Sequence, residues 1–233
     1  MFEFSGNAIS VLMFLSPVST FVRIVRNKSI EEFESFPYIC TLLNSSLWTY
    51  YGVTKPGSYL VATVNGFGVV VEIIYIAFFL TFAPPLKRGR TALVFVVVNI
   101  GVLAAAMSVT YFLMSGETKI YAIGIMASAL NVIMYGSPLS AMKTVVTTKS
   151  VEYMPFLLSF FLFLNGGVWT FYAVLVHDFF LGVPNAIGFF LGTLQLVLYA
   201  IYTINPRKSN ILPADFKQGS QTEHLLPSHG AQC

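Results

Sequence analysis

The sequence predicts an all-α integral membrane protein whose seven transmembrane helices form two parallel three-helix repeats joined by a linker helix. Three observations carry that expectation. The chain is 56% hydrophobic and only 10% charged, with a mean hydropathy of +0.74, whereas a soluble domain carries about 25% charged residues. Charged or turn-rich breaks divide it into apolar runs about 20 residues long, the length that crosses a hydrocarbon core. Finally, SPVSTFVRIVRNKSIE, from Ser16 to Glu31, returns as SPLSAMKTVVTTKSVE, from Ser137 to Glu152, a shift of 121 residues that marks an internal duplication.

Seven runs are delimited in this way, over residues 6–25, 36–53, 59–82, 91–114, 120–142, 153–176 and 181–204. The first lacks a basic leader, is followed by cations and belongs to a repeated unit, so it is expected to be a retained helix rather than a signal peptide. Runs one to three pair with runs five to seven, and the fourth has no counterpart. Three helices cross a membrane an odd number of times, so a second copy fused directly would be inverted. The single extra crossing restores its orientation, and the halves are expected to be related by an axis along the membrane normal. The expected domains are residues 1–86, the linker 87–118, residues 119–204, and a proline-containing polar tail, 205–233, expected to be disordered.

Eleven of the thirteen lysines and arginines fall in the breaks after runs one, three, five and seven, and only Lys55 and Lys119 lie on the other side. By the positive-inside rule the amino terminus faces the lumen or outside and the tail faces the cytosol. The small net charge of +3, confined to these breaks, excludes nucleic acid as a partner. Two cysteines, Cys40 and Cys233, offer no disulfide framework. The tripeptides Asn27-Lys28-Ser29 and Asn44-Ser45-Ser46 match a glycosylation pattern, but one falls on the cytosolic side and the other inside a helix, so neither is expected to be modified.

Candidate binding residues come from the same register. The 121-residue shift carries Trp48 onto Trp169, the only two tryptophans, and a shift of 120 carries Asn65 onto Asn185. An amide buried in an apolar helix without partners costs roughly 1–3 kcal/mol. It is either glue between helices or a ligand-binding group, and a repeat-related pair facing one axis favours the latter. Each amide offers two donors and two acceptors, suited to a polyhydroxylated, uncharged solute. Trp48 and Trp169 lie too deep in their runs for an interfacial belt. An indole face suits the C–H face of a sugar ring. Met13 and Met134, each four residues before a proline, are expected to line the same space. Glu72 is the one carboxylate well inside an apolar run, and its repeat counterpart is Gly192. An intramembrane acid is a functional candidate by default, although a structural, hydrogen-bonded role fits its lack of symmetry.

These stretches, together with PYICTLLNSSLWTYYG, LVATVNGFG, FFLFLNGGVWTFYA and VPNAIG, resemble the plant SWEET sugar transporters along nearly the whole chain to about residue 204. That family is itself a known example of parallel repeats. The resemblance is greatest to its vacuolar-membrane group, associated with fructose and glucose. It implies that Asn65 and Asn185 contact the sugar, that Pro17, Pro37, Pro138 and Pro155 form a proline tetrad acting as hinges and cytosolic gate, and that Tyr51 and Asp178, with Lys55 as the cation, form a luminal gate. A vacuolar location is expected, with the plasma membrane as the alternative.

The expected function is bidirectional, facilitative uniport of a monosaccharide by alternating access, with the lipid bilayer as the medium and a homo-oligomer compatible with it. The alternatives are a proton-coupled transporter of the related PQ-loop type using Glu72, and a seven-helix receptor, which the repeat and the lack of a cysteine pair disfavour. No catalytic residues, metal ligands or cofactor are expected. No nucleophile and base can be paired, and His177, His224 and His229 lie in loops or the tail.

Overall fold

The computed structural model describes residues 2–152 and 154–204. The expected disordered tail, its Arg207, Lys208 and Lys217, and the Glu223-His224-Leu225-Leu226 sequence lie outside the described residues. The described elements are all helical: α1 (Phe2–Leu15), α2 (Val18–Asn27), α3 (Phe36–Thr54), α4 (Tyr59–Phe82), α5 (Pro85–Phe95), a π-helical stretch (Val96–Val102), α6 (Leu103–Leu113), α7 (Gly116–Met134), α8 (Gly136–Thr148), α9 (Phe156–Leu175) and α10 (Phe179–Ile204). α1 and α2 form one broken rod, α5 to α6 one continuous linker helix, and α7 and α8 a second broken rod. Six of the resulting helices are long and apolar enough to cross a membrane. The remaining one, α3, is less apolar because it carries Thr41, Asn44, Ser45, Ser46 and Thr49.

Several helices are longer than their apolar runs. The linker begins at Pro85 rather than at residue 91, because proline in the first turn loses no helical hydrogen bond. The charged residues that delimit the apolar runs, such as Arg88, Lys119 and Lys143, continue the helical ladder beyond the hydrocarbon-length segment. The repeated Lys-Ser-x-Glu sequence is a helix stop. Lys28 and Lys149 each adopt the left-handed conformation, with φ of 49° and 59°, at the ends of α2 and α8. The backbone N–H of Glu31 then bonds Ser29 Oγ and that of Glu152 bonds Ser150 Oγ. Glu31 also accepts from Asn27 Nδ2 at 2.8 Å and Arg23 Nε at 3.0 Å. Those donors hold its carboxyl below the usual carboxylate range.

Proline plays two different parts. Pro17 sits at the α1/α2 break, where the freed Met13 carbonyl accepts both the N–H and the hydroxyl of Ser16. Pro138 lies in the first turn of α8, just past the α7/α8 break. Pro37 and Pro155 instead start α3 and α9 without bending them. A further proline, Pro184, lies inside α10. It leaves the Phe180 carbonyl without its helical donor, and Ser128 of α7 supplies one at 2.7 Å.

The packing follows the repeat. α3 lies along α4 as α9 lies along α10, and α1 contacts α4 as α7 contacts α10. Across the seam, α1 meets α9 and α3 meets α7. Close approach of α9 to α10 requires Gly166, where a Cβ would lie 2.5 Å from the Phe189 backbone nitrogen. The linker is stitched to α3 at three levels: Ser35 to Thr91 at 2.8 Å, Asn99 Nδ2 to the Ile39 carbonyl at 3.2 Å, and Tyr50 to Thr110 at 3.0 Å. Its outer face leaves Val96, Val97, Ile100 and Phe112 exposed. In a membrane that apolar face meets lipid rather than water.

Candidate functional site

A cavity of about 320 Å³ opens between the two halves, lined by residues from both. α1 contributes Ser10, Met13 and Phe14, α3 contributes Tyr38, Thr41, Asn44 and Trp48, and α4 contributes Asn65 and Glu72. Asn131 comes from α7, Trp169 and Asn165 from α9, and Asn185 from α10.

The asparagine pair is held in one way on both sides. Asn65 Nδ2 donates to the Val61 carbonyl and Asn185 Nδ2 to the Leu181 carbonyl, each at 2.8 Å and each one turn back on its own helix. Neither amide makes another hydrogen bond among the described residues, so each keeps its carbonyl oxygen and second N–H for the cavity. Trp48 and Trp169 are 3% and 7% exposed, which places them in the interior rather than at a lipid interface. Each meets a tyrosine edge-on, Trp48 with Tyr51 at 5.4 Å and Trp169 with Tyr172 at 5.6 Å. Trp169 Nε1 also donates to Ser10 Oγ at 2.8 Å.

A second tier of polar residues joins the halves beside the indoles. Ser10 Oγ donates to Asn165 Oδ1 at 2.7 Å and Asn44 Nδ2 to Asn131 Oδ1 at 2.8 Å. The 121-residue register relates Ser10 to Asn131 and Asn44 to Asn165, so these are two copies of one contact. That register was a readable signal, but Asn44 stood out only as part of a glycosylation pattern. The structure places it half-buried in the middle of α3, on the cavity wall.

At one end of the cavity the chain is sealed. Tyr51 donates from its hydroxyl to both carboxylate oxygens of Asp178, at 3.0 Å each, and Lys55 Nζ lies 2.6 Å from Asp178 Oδ2 and 3.2 Å from the Tyr51 hydroxyl. Asp178 also caps α10 through the Leu181 N–H at 3.0 Å. Its side chain is 1% exposed and that of Lys55 26%. Among the lining residues Ser16, Pro37 and Leu158 are exposed and Pro17 is half-buried, so the cavity opens at their end as a mouth. Pro138, Pro155 and Met134 are not among the lining residues. The two prolines stand at the α8 and α9 starts, and Met134 ends α7 half-buried.

The cavity offers amides, hydroxyls and indoles, with Glu72 as its one ionisable carboxyl. Among the described residues no group of histidine, cysteine or carboxylate side chains could hold a metal ion.

The chain is similar to known proteins along most of its length. A family model described as "Sugar efflux transporter for intercellular exchange" matches twice, over residues 1–87 and 121–207. The chain is 59% identical to the bidirectional sugar transporter SWEET17 of Arabidopsis thaliana, over 84% of this chain and 82% of that one. It is 57% identical to SWEET16 of the same plant, over 84% and 86%. A solved eukaryotic SWEET transporter superposes with a TM-score of 0.83 at 37% identity, covering 88% of this chain and 96% of the other. With a family model matched in both halves and such relatives along most of its length, the chain belongs to the SWEET family.

Proposed function

We propose that the protein is a bidirectional uniporter that carries a monosaccharide of the glucose or fructose kind down its gradient by alternating access. As a member of a sugar-transporter family it is a transporter and not an enzyme. The observation that carries the finer reading is the repeat-related pair Asn65 and Asn185, each holding one N–H on its own helix and presenting the rest of its amide to a cavity walled by two indoles. A few hydrogen bonds of roughly 1 kcal/mol each and one stacking contact supply the ~4 kcal/mol of a millimolar site. Weak binding lets the solute leave.

The seven-crossing, three-plus-one-plus-three architecture, with repeats at 1–86 and 119–204 around the linker, is supported by the double family match and the repeat-related packing. It makes α3 the seventh crossing, whose Thr41, Asn44 and Ser45 line the cavity. In this arrangement Tyr51, Lys55 and Asp178 are a closed luminal gate, and the open mouth at Pro17 and Pro37 faces the cytosol. Pro138 and Pro155 complete a four-proline hinge set as the starts of α8 and α9. Met13 narrows the cavity from α1, with Met134 as its partner in another state of the cycle. The amino terminus is luminal, and the resemblance to the vacuolar-membrane group favours the vacuole. A homo-oligomer is compatible with the exposed apolar linker face.

The test is uptake of labelled glucose, fructose and sucrose by the purified protein in liposomes. Asn65→Ala and Asn185→Ala each remove one or two hydrogen bonds to the sugar, and uptake falls about fivefold or more at sub-saturating sugar. Wild-type uptake in both variants contradicts the site.

A further inference from the structure

Glu72 is 3% exposed, lies in the cavity wall, and its Oε2 has no hydrogen-bond partner. The mechanism above does not use it. A buried carboxyl is normally hydrogen-bonded, ion-paired or bound to a metal. No ion pair reaches this one among the described residues.

Three hydroxyls of the cavity wall and the core beside it are committed elsewhere. Tyr75 donates to the Phe14 carbonyl at 2.9 Å, Thr41 to the Pro37 carbonyl at 2.9 Å, and Ser16 to the Met13 carbonyl at 2.8 Å. Tyr38 lines the same cavity and packs its ring against Phe21 and Tyr75, and its hydroxyl makes no hydrogen bond to Glu72 among the described residues. No described protein donor bonds Glu72 in this conformation, which leaves its carboxyl open to what occupies the cavity.

Its position says what that is. Glu72 follows Asn65 by seven residues on α4, which puts both on one helix face about 10 Å apart along the axis, and the lining is continuous between them to the mouth at Ser16 and Pro37. In the second repeat the corresponding position is Gly192. At Gly192 a Cβ would lie 2.6 Å from the Phe163 backbone nitrogen, so α9 and α10 close where the first repeat keeps a polar side chain.

We propose that Glu72 heads a second sugar-binding station, two turns from the asparagine pair on the mouth side, where a monosaccharide hydroxyl donates to the carboxyl as the solute passes between the central site and the mouth. This rests on the sugar reading of the asparagine pair. A carboxyl accepts from hydroxyls in either protonation state, and when it carries a proton it also donates, as an amide does.

The test separates the two sites, because Trp48 and Trp169 are the only tryptophans and both line the central one. Glucose binding is read by tryptophan fluorescence on the purified full chain, and equilibrium exchange of labelled glucose is read in liposomes. In Glu72→Leu the fluorescence Kd stays within about twofold of wild type, as for sites about 10 Å apart. Exchange at sub-saturating sugar falls about fivefold, the equivalent of one lost hydrogen bond. Glu72→Gln, which keeps shape and hydrogen bonding, recovers a large part of that loss.

Unchanged exchange in Glu72→Leu with normal fluorescence overturns the station alone. So does equal loss in the leucine and glutamine variants, since a station needs the hydrogen-bonding group that glutamine retains. Loss of the fluorescence response in both variants assigns Glu72 to holding the helices and overturns it as well. If the wild type shows neither fluorescence response nor exchange, the sugar reading itself fails and the station with it.

Discussion

Asn44 donates a hydrogen bond to Asn131 across the seam between the two halves, at 2.8 Å. Its repeat-related copy runs from Ser10 to Asn165 at 2.7 Å. These bonds tie α3 to α7 and α1 to α9, and all four residues line the cavity.

In a thermal-unfolding double-mutant cycle in detergent or lipid, Asn44→Ala and Asn131→Ala couple by about 0.6 kcal/mol, the mean for side-chain hydrogen bonds between membrane helices. The Ser10 and Asn165 pair gives a similar value. Additive effects, with no coupling in either pair, contradict a seam built on these bonds.

The cluster of Tyr51, Lys55 and Asp178, proposed as the luminal gate, predicts an asymmetry between its two charges. Asp178 is almost wholly buried and Lys55 is not. Removing Lys55 leaves a buried carboxylate short of its counter-charge, a penalty of about 3–5 kcal/mol for a fully buried pair, reduced here by the Tyr51 and Leu181 donors. Removing Asp178 leaves a lysine that reaches water. A cysteine at Val61, in a background with Cys40 and Cys233 replaced by serine, is therefore labelled by an impermeant thiol reagent from the Lys55 side faster in Lys55→Met than in Asp178→Asn. Equal labelling of both variants at the wild-type rate shows that the bridge does not hold this end closed.

The repeat register makes the site partly legible in the sequence. Trp48, Trp169, Asn65 and Asn185 stood out because their residue types are rare or costly in apolar runs. Asn131 and Asn165 obey the same register, but an asparagine facing a serine or another asparagine is recognisable only once α1 is known to lie on α9 and α3 on α7. Tyr51 and Asp178 are 127 residues apart, so the resemblance, and no local pattern, brought them together. The π-helical stretch at Val96–Val102 has no residue signature, and its Asn99 is explained only by the α3 carbonyl it reaches. The isolation of Glu72 is likewise a three-dimensional fact: its type was readable, and its lack of partners was not.

The proposed site makes the two indoles its size limit. They enter the cavity from α3 and α9, opposite walls of the seam, and a disaccharide has to displace rings that are themselves packed against Tyr51 and Tyr172. Steric exclusion of this kind discriminates more strongly than the 1–3 kcal/mol or so of one methylene in an apolar pocket. Replacing both Trp48 and Trp169 with serine raises sucrose uptake relative to glucose uptake in liposomes. An unchanged ratio in a well-folded double variant assigns the size limit to other residues.

The central claim is that a monosaccharide moves without energetic coupling, and the plateau of uptake tests it most directly. Liposomes containing the purified protein are given labelled glucose or fructose, with and without an imposed pH gradient, and the internal concentration is followed to its limit. A uniporter brings the internal concentration level with the external one, and the pH gradient leaves that plateau where it is. Accumulation above the external concentration when the gradient is imposed, or failure to take up either hexose, contradicts the account.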